Sequence, residues 1–182
     1  MIVRSTRPRV ALVLILTGVT LAGCHSGSHS NPGPIGTTSS SPSPDAQAIA
    51  KHDALAAYTG MWAAMVKAAE TSNPDEPKLR QYATGDALAL LVGSLVTDRS
   101  RGVVTKGHPV LNPSVTALTP ESAPTEASIV DCGDSTNWLK YKSNGELADN
   151  TPGGRRRITA TVKAGDGGWK VTSTTVGGLG SC

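Results

Sequence analysis

Arg156-Arg157-Ile158-Thr159-Ala160-Thr161-Val162-Lys163-Ala164, then Gly165-Asp166-Gly167, then Gly168-Trp169-Lys170-Val171-Thr172-Ser173-Thr174-Thr175-Val176, is the stretch that decides the fold. Ile158, Ala160 and Val162 alternate with Thr159, Thr161 and Lys163, which gives a strand one buried face and one wet face. Two runs rich in Val and Thr on either side of Gly-Asp-Gly read as an antiparallel hairpin.

Working back toward the N-terminus, the same texture continues to about residue 102. Short runs of Val, Thr and Ile broken by Gly, Pro and Asn predict strands near Gly102–His108, Ser114–Leu118, Glu126–Cys132 and Trp138–Ser143, with Asn144-Gly145 as a further turn signal. Upstream of residue 102 the period changes. Thr84-Gly85-Asp86 opens a helix whose buried face carries Leu88, Leu91, Val92 and Leu95 and which closes over Arg99–Gly102. A short helical turn is predicted around Lys78–Ala83. Before it, Ser43-Pro44-Asp45 has the form of a helix start, with a capping hydroxyl, proline in the first turn and an acid near the positive end of the helix dipole. From there Ala48, His52, Leu55, Thr59, Trp62, Val66 and Ala69 recur at spacings of four and three, beside Tyr58 and Met65, until Ser72-Asn73-Pro74. Helices first and antiparallel strands after predict an α+β domain: a long N-terminal helix and shorter helices on one face of a sheet of about six strands.

The remaining N-terminal residues describe export. Arg4, Arg7 and Arg9 precede an apolar run, Val10–Val19, and then the small residues Ala22 and Gly23, the three-part layout of a secretory signal. The run is shorter than the roughly 20 residues a spanning helix requires. Leu21-Ala22-Gly23-Cys24 resembles the bacterial lipobox, which implies lipidation of Cys24 and cleavage just before it; an ordinary cleavable signal is the alternative. Several acyl chains anchor stably at about 0.8 kcal/mol per buried CH₂. From His25 to Pro44 the chain is almost entirely Ser, Gly, Pro, Thr and Asn and cannot bury enough surface to fold. Such a tether spans roughly 25 Å. Residues 1–23 are thus assigned to a signal peptide, 24–44 to a lipidated cysteine and tether, and 45–182 to a single domain.

Charge and cysteine content narrow the function. Three of the 17 Lys and Arg residues fall in the leader, which leaves 14 against 14 Asp and Glu, so the mature chain has no basic excess with which to bind nucleic acid. Arg155-Arg156-Arg157 is the sole basic run and reads as a solvated strand end. With Cys24 acylated, Cys132 and Cys182 remain as an even pair in an exported chain, for which a disulfide is the default. Free thiols or a redox pair are the alternative, without a Cys-x-x-Cys spacing to support them. The histidines sit at no metal-ligand spacing from either cysteine, so neither a metal nor another cofactor is expected.

The order of elements resembles the nuclear-transport-factor-2-like, or ketosteroid-isomerase-like, superfamily, in which a long helix and shorter helices pack on a strongly curved, cone-like sheet. Asp131-Cys132-Gly133-Asp134-Ser135-Thr136-Asn137-Trp138, Gly153-Gly154-Arg155-Arg156, Gly167-Gly168-Trp169-Lys170-Val171 and Gly180-Ser181-Cys182 are also similar to small, largely uncharacterised exported proteins and lipoproteins of actinobacteria. The isomerase branch implies a carboxylate base with a tyrosine or acid holding an oxyanion, for which Asp131, Asp134, Tyr58 and Tyr82 are the candidates; no spacing unites any two of them. Gly133-Asp134-Ser135 is similar to the start of one esterase motif, but a hydroxyl nucleophile needs a histidine base. His52 reads as a packing residue on the helix stripe and His108 as a turn residue. The reading adopted is a non-enzymatic binding or interaction module on the outer face of the cell membrane. Its cone, lined by Tyr58, Trp62, Tyr82, Leu91, Leu95 and Trp138, would accept a small apolar ligand, a peptide or an envelope protein. A small envelope isomerase or hydrolase is the alternative.

Overall fold

The computed structural model describes residues 44–182. The signal peptide, Cys24 and the tether expected from the sequence lie outside the described residues. Among the described residues, no helix is long and apolar enough to cross a membrane.

Among the described residues three helices come first, α1 (Pro44–Ala69), α2 (Pro77–Tyr82) and α3 (Gly85–Ser100). Six strands follow, β1 (Val103–Lys106), β2 (Ser114–Thr119), β3 (Glu126–Asp134), β4 (Leu139–Lys142), β5 (Arg155–Gly165) and β6 (Gly168–Val176). They divide into a four-stranded antiparallel sheet ordered β2-β3-β5-β6 and a two-stranded ribbon of β1 with β4. The architecture is the expected α+β arrangement. The chain leaves the sheet at the end of β3, Asp134, and β4 pairs with β1 instead, so β5 lies directly beside β3.

Alternation settles which face each strand buries. Ala127, Ile129 and Asp131 of β3 share the inner face with Ile158, Ala160 and Val162 of β5. Register shifts insert an extra residue in β2, between Val115 and Ala117, and one in β6, Thr172 opposite the Thr161–Val162 step of β5, and these bend and twist the sheet around that face. The β5–β6 hairpin turns through Asp166-Gly167, with Gly168 at φ 86°.

α1 lies on the inner face through a stripe that shares Trp62 and Ala69 with the predicted one and is otherwise turned from it. The buried positions are Ala50, Ala54, Ala57, Tyr58, Met61, Trp62, Ala64, Met65, Ala68 and Ala69, whereas Ala48, His52 and Thr59 are exposed. The predicted face is displaced by about one residue, or about 100° of helix rotation. Tyr58 and Met65, placed at the margin, belong to the centre. His52 is not a packing residue: its Nδ1 lies 2.9 Å from the neighbouring Asp53 carboxylate at the surface. In α3, Leu91 and Leu95 are buried with Ala87 and with Asp98, whose carboxylate accepts a 2.6 Å bond from Lys140 Nζ and so ties α3 to β4.

α1 ends where Asn73 N–H donates to Ala68 O at 2.8 Å and Ser72 adopts φ 49°. Ser72 is buried and donates its hydroxyl to Val103 O, so one side chain terminates the helix and docks β1. α2 approaches α1 at Gly60, where a Cβ would stand 2.7 Å from the Tyr82 ring. Only glycine lets the ring lie that close to the helix.

Candidate functional site

A cleft of about 540 Å³ opens between α1, α3 and the ends of β5 and β6. Trp62 and Met65 of α1, Leu90, Leu91 and Ser94 of α3, and Ile158 of β5 form most of its wall. The rest comes from Pro109, Gly133, Ser135, Trp138, Arg156 and the Thr174–Val176 segment. This volume is within the roughly 300–1,000 Å³ of small-molecule sites. Leu90 and Val176 at the rim are 49% and 43% exposed, so apolar surface continues outward from the opening.

Three residues expected to line a cone do line this cleft: Trp62, Leu91 and Trp138. Tyr58, Leu95 and Tyr82 do not. Tyr58 and Leu95 are fully buried in the core beneath it, because the rotation of α1 turns Tyr58 inward. Tyr82 stacks over Gly60 on the far side of α1, where it borders a separate depression with Trp169.

The aromatic wall is built edge to face. Tyr58 meets Trp62 with ring centroids 6.4 Å apart, and Trp62 meets Trp138 at 5.9 Å, both T-shaped. The indole N–H groups of Trp62 and Trp138 are buried and form no hydrogen bond within the described residues. A buried donor without an acceptor costs about 1–3 kcal/mol, so the wall holds polar groups that packing alone does not account for.

Behind this wall Tyr58 and Asp131, 73 residues apart, form a buried pair: Tyr58 Oη donates to Asp131 Oδ2 at 3.0 Å. Asp131 Oδ1 accepts the Asn112 N–H at 2.8 Å, so both carboxylate oxygens are engaged. Burial first, then the charge of Asp131 and its hydrogen bond, push the Tyr58 hydroxyl well above the usual tyrosine range; the Trp62 indole opposes this slightly without completing a hydrogen bond. Two of the isomerase-type candidates are therefore joined, but neither lines the cleft. Asp134 accepts from Thr136 through both N–H and hydroxyl, which holds its carboxyl below the ordinary range. Ser135 donates to Gly154 O at 3.1 Å and accepts the Gly154 N–H at 3.2 Å, so its hydroxyl fastens two loops together. His108 is exposed beyond β1. The Gly-Asp-Ser segment is the end of β3 and the first residue of the loop that follows it.

Cys132 and Cys182 are joined in a disulfide with Cα atoms 5.9 Å apart. The glycine-rich tail it holds runs beside the start of β5. Gly177 N–H donates to Arg157 O and Gly180 N–H to Arg155 O, both at 2.8 Å, and Ser181 Oγ accepts the Arg157 N–H. Between the two outward-facing arginines, Arg156 Nη1 donates to Gly177 O at 3.1 Å on the cleft side. Arg156 was missed by the reading of the basic run as a solvated end. The signal was available: residues 156 and 158 share a face of a strand, so a buried Ile158 brings Arg156 inward with it.

Among the described residues, no cluster of three or more His, Cys, Asp or Glu side chains is placed to hold a metal ion.

No protein-family model matches the chain, and no curated protein matches it in sequence. By shape the chain is similar to the intermembrane-space region of the chloroplast protein ARC6, at 16% identity and a TM-score of 0.50, covering 70% of this chain and 95% of that one. It is also similar to two proteins of Novosphingobium aromaticivorans. One, provisionally described as an aromatic ring hydroxylase, is 17% identical with a TM-score of 0.47, covering 70% of this chain and 90% of that one. The other, provisionally described as a scytalone dehydratase, is 17% identical with a TM-score of 0.43, covering 76% and 97%. At such identities the likeness concerns the fold alone: helices packed on a curled antiparallel sheet.

Proposed function

We propose that this chain is a lipid-anchored, extracytoplasmic binding module of an actinobacterial cell envelope, and that its cleft receives a small apolar ligand. The observation that carries the reading is the composition of the cleft wall. Trp62, Met65, Leu91, Trp138 and Ile158 offer apolar and aromatic surface, and among the described residues no carboxylate or imidazole lines it. Proton transfer needs such a group within hydrogen-bond reach of the substrate. Asp131, the buried acid nearest in the chain, already has both oxygens engaged. A wall of this kind supports retention over turnover. The leader with Leu21-Ala22-Gly23-Cys24 supports attachment outside the cytoplasm, and the Cys132–Cys182 bond supports an oxidising compartment.

The test uses the full-length chain expressed in an actinobacterial host and extracted from membranes with detergent. Mass spectrometry of the purified protein should show a co-purifying small molecule and an acylated Cys24. A Ser94→Trp variant, which narrows the cleft from a half-buried helix position without touching the core, should lose the molecule while melting as the parent does. A parent that carries nothing and fails to bind the neutral fluorophore N-phenyl-1-naphthylamine would overturn the binding reading; an unacylated Cys24 would overturn the anchor.

A further inference from the structure

We propose that Arg156 makes the cleft selective for amphiphiles with an oxyanion head group, a carboxylate or a phosphate, on an apolar chain; this rests on the cleft being a ligand site. Among the described residues lining it, Arg156 is the one that carries a charge. A guanidinium has five N–H donors, and one of them is committed, from Nη1 to Gly177 O. Among the described residues no carboxylate lies within ion-pair distance of it. The side chain is half-buried, so its remaining donors act where water screens them less than in bulk.

Of the other polar groups of the lining none carries a charge, and the unpaired indole N–H groups of Trp62 and Trp138 are buried. Ser135 donates to Gly154 O, and Thr174 donates to Thr159 O at 3.2 Å. Recognition of an anionic end therefore falls to Arg156, whose planar fork matches the two oxygens of a carboxylate or phosphate. Its position is set from behind. Gly177, which accepts its bond, belongs to the tail that the disulfide and three hydrogen bonds hold against β5. The ligand's chain would lie against Trp62, Leu91 and Ile158, and a cationic amphiphile would meet repulsion with no acid to relieve it.

The experiment measures displacement of N-phenyl-1-naphthylamine from the full-length protein in detergent by decanoate, decyl phosphate and decanol. At least one oxyanion should bind about ten- to a hundredfold more tightly than decanol, the range expected for hydrogen bonds to a charged group. The two oxyanions together distinguish carboxylate from phosphate. Arg156→Gln, which keeps an N–H for Gly177 O, should erase the preference and bring both oxyanions to the affinity of decanol. Equal binding of decanol and both oxyanions by the parent, or a preference that survives in Arg156→Gln, would sink the assignment of Arg156. Failure of all three ligands and the fluorophore to bind would instead remove the cleft reading beneath it.

Discussion

Removing one oxygen, by Tyr58→Phe, should separate the parent and variant proteins in a way that depends on pH. At neutral pH the variant leaves Asp131 Oδ2, buried and previously bonded at 3.0 Å, without its donor. That costs about 1–3 kcal/mol, or several degrees in melting temperature for a domain of this size. The alkaline behaviour carries the sharper signature. An unfolded tyrosine releases its proton near pH 10, whereas burial and Asp131 hold the folded Tyr58 proton well above that value. Below pH 10 both states keep the proton, and the contribution of Tyr58 to stability is fully present. Above pH 10 the unfolded state alone gives it up, and stability falls by about 1.4 kcal/mol per pH unit. Tyr58→Phe lacks this loss, so its deficit relative to the parent should shrink by about 1 kcal/mol between pH 10 and pH 11, where the unfolded tyrosine is still partly protonated. Urea unfolding at the two pH values reads the difference. A direct check is tyrosinate absorbance of the folded protein: of the three tyrosines, one should resist ionisation until the fold is lost. Parallel loss of stability in parent and variant, or ionisation of all three tyrosines in the native state, refutes the buried pairing.

Two further outcomes follow from the packing. The disulfide closes a separation of 50 residues, which on the chain-entropy estimate contributes about 4 kcal/mol; Cys132→Ser with Cys182→Ser should lower the melting temperature by roughly 10 °C, and an unchanged melting curve would show that the tail does not constrain the domain. Ser72→Ala removes a buried hydroxyl donor to Val103 O while keeping a left-handed backbone, costing about 1–3 kcal/mol. Ser72→Gly loses the same bond but suits φ 49° better, so denaturant titration should rank serine first, glycine next and alanine last.

Element boundaries were legible because local chemistry marks them. Helix α3 opens at Gly85 beside Thr84 and Asp86, and the β5–β6 hairpin turns where Asp166-Gly167 predicts it. The face of α1 was not legible, for a reason visible in its residues. Alanine fills Ala50, Ala54, Ala57, Ala64 and Ala68 on the buried side, while the larger Leu55 and Val66 sit only part-buried. Close packing against the sheet selects small side chains, so size misleads about orientation. Tyr58 is drawn inward by an acid 73 residues later in the chain, and no local period encodes that distance. The division of the strands into sheet and ribbon likewise depends on β4 finding β1 across an intervening hairpin partner.

The placement of charge around the inner face has a further consequence for chemistry. Asp131 and Arg156 project from neighbouring strands onto the same side of the sheet, yet the acid lies under the aromatic wall and the cation at the cleft. Had the two met, each would have neutralised the other. Tyr58 and Asn112 instead satisfy the carboxylate from within, and Gly177 O holds the guanidinium at the opening. The Cys132–Cys182 bond holds the tail whose Gly177 O accepts from Arg156, so the strand register and the tail together set where the guanidinium stands.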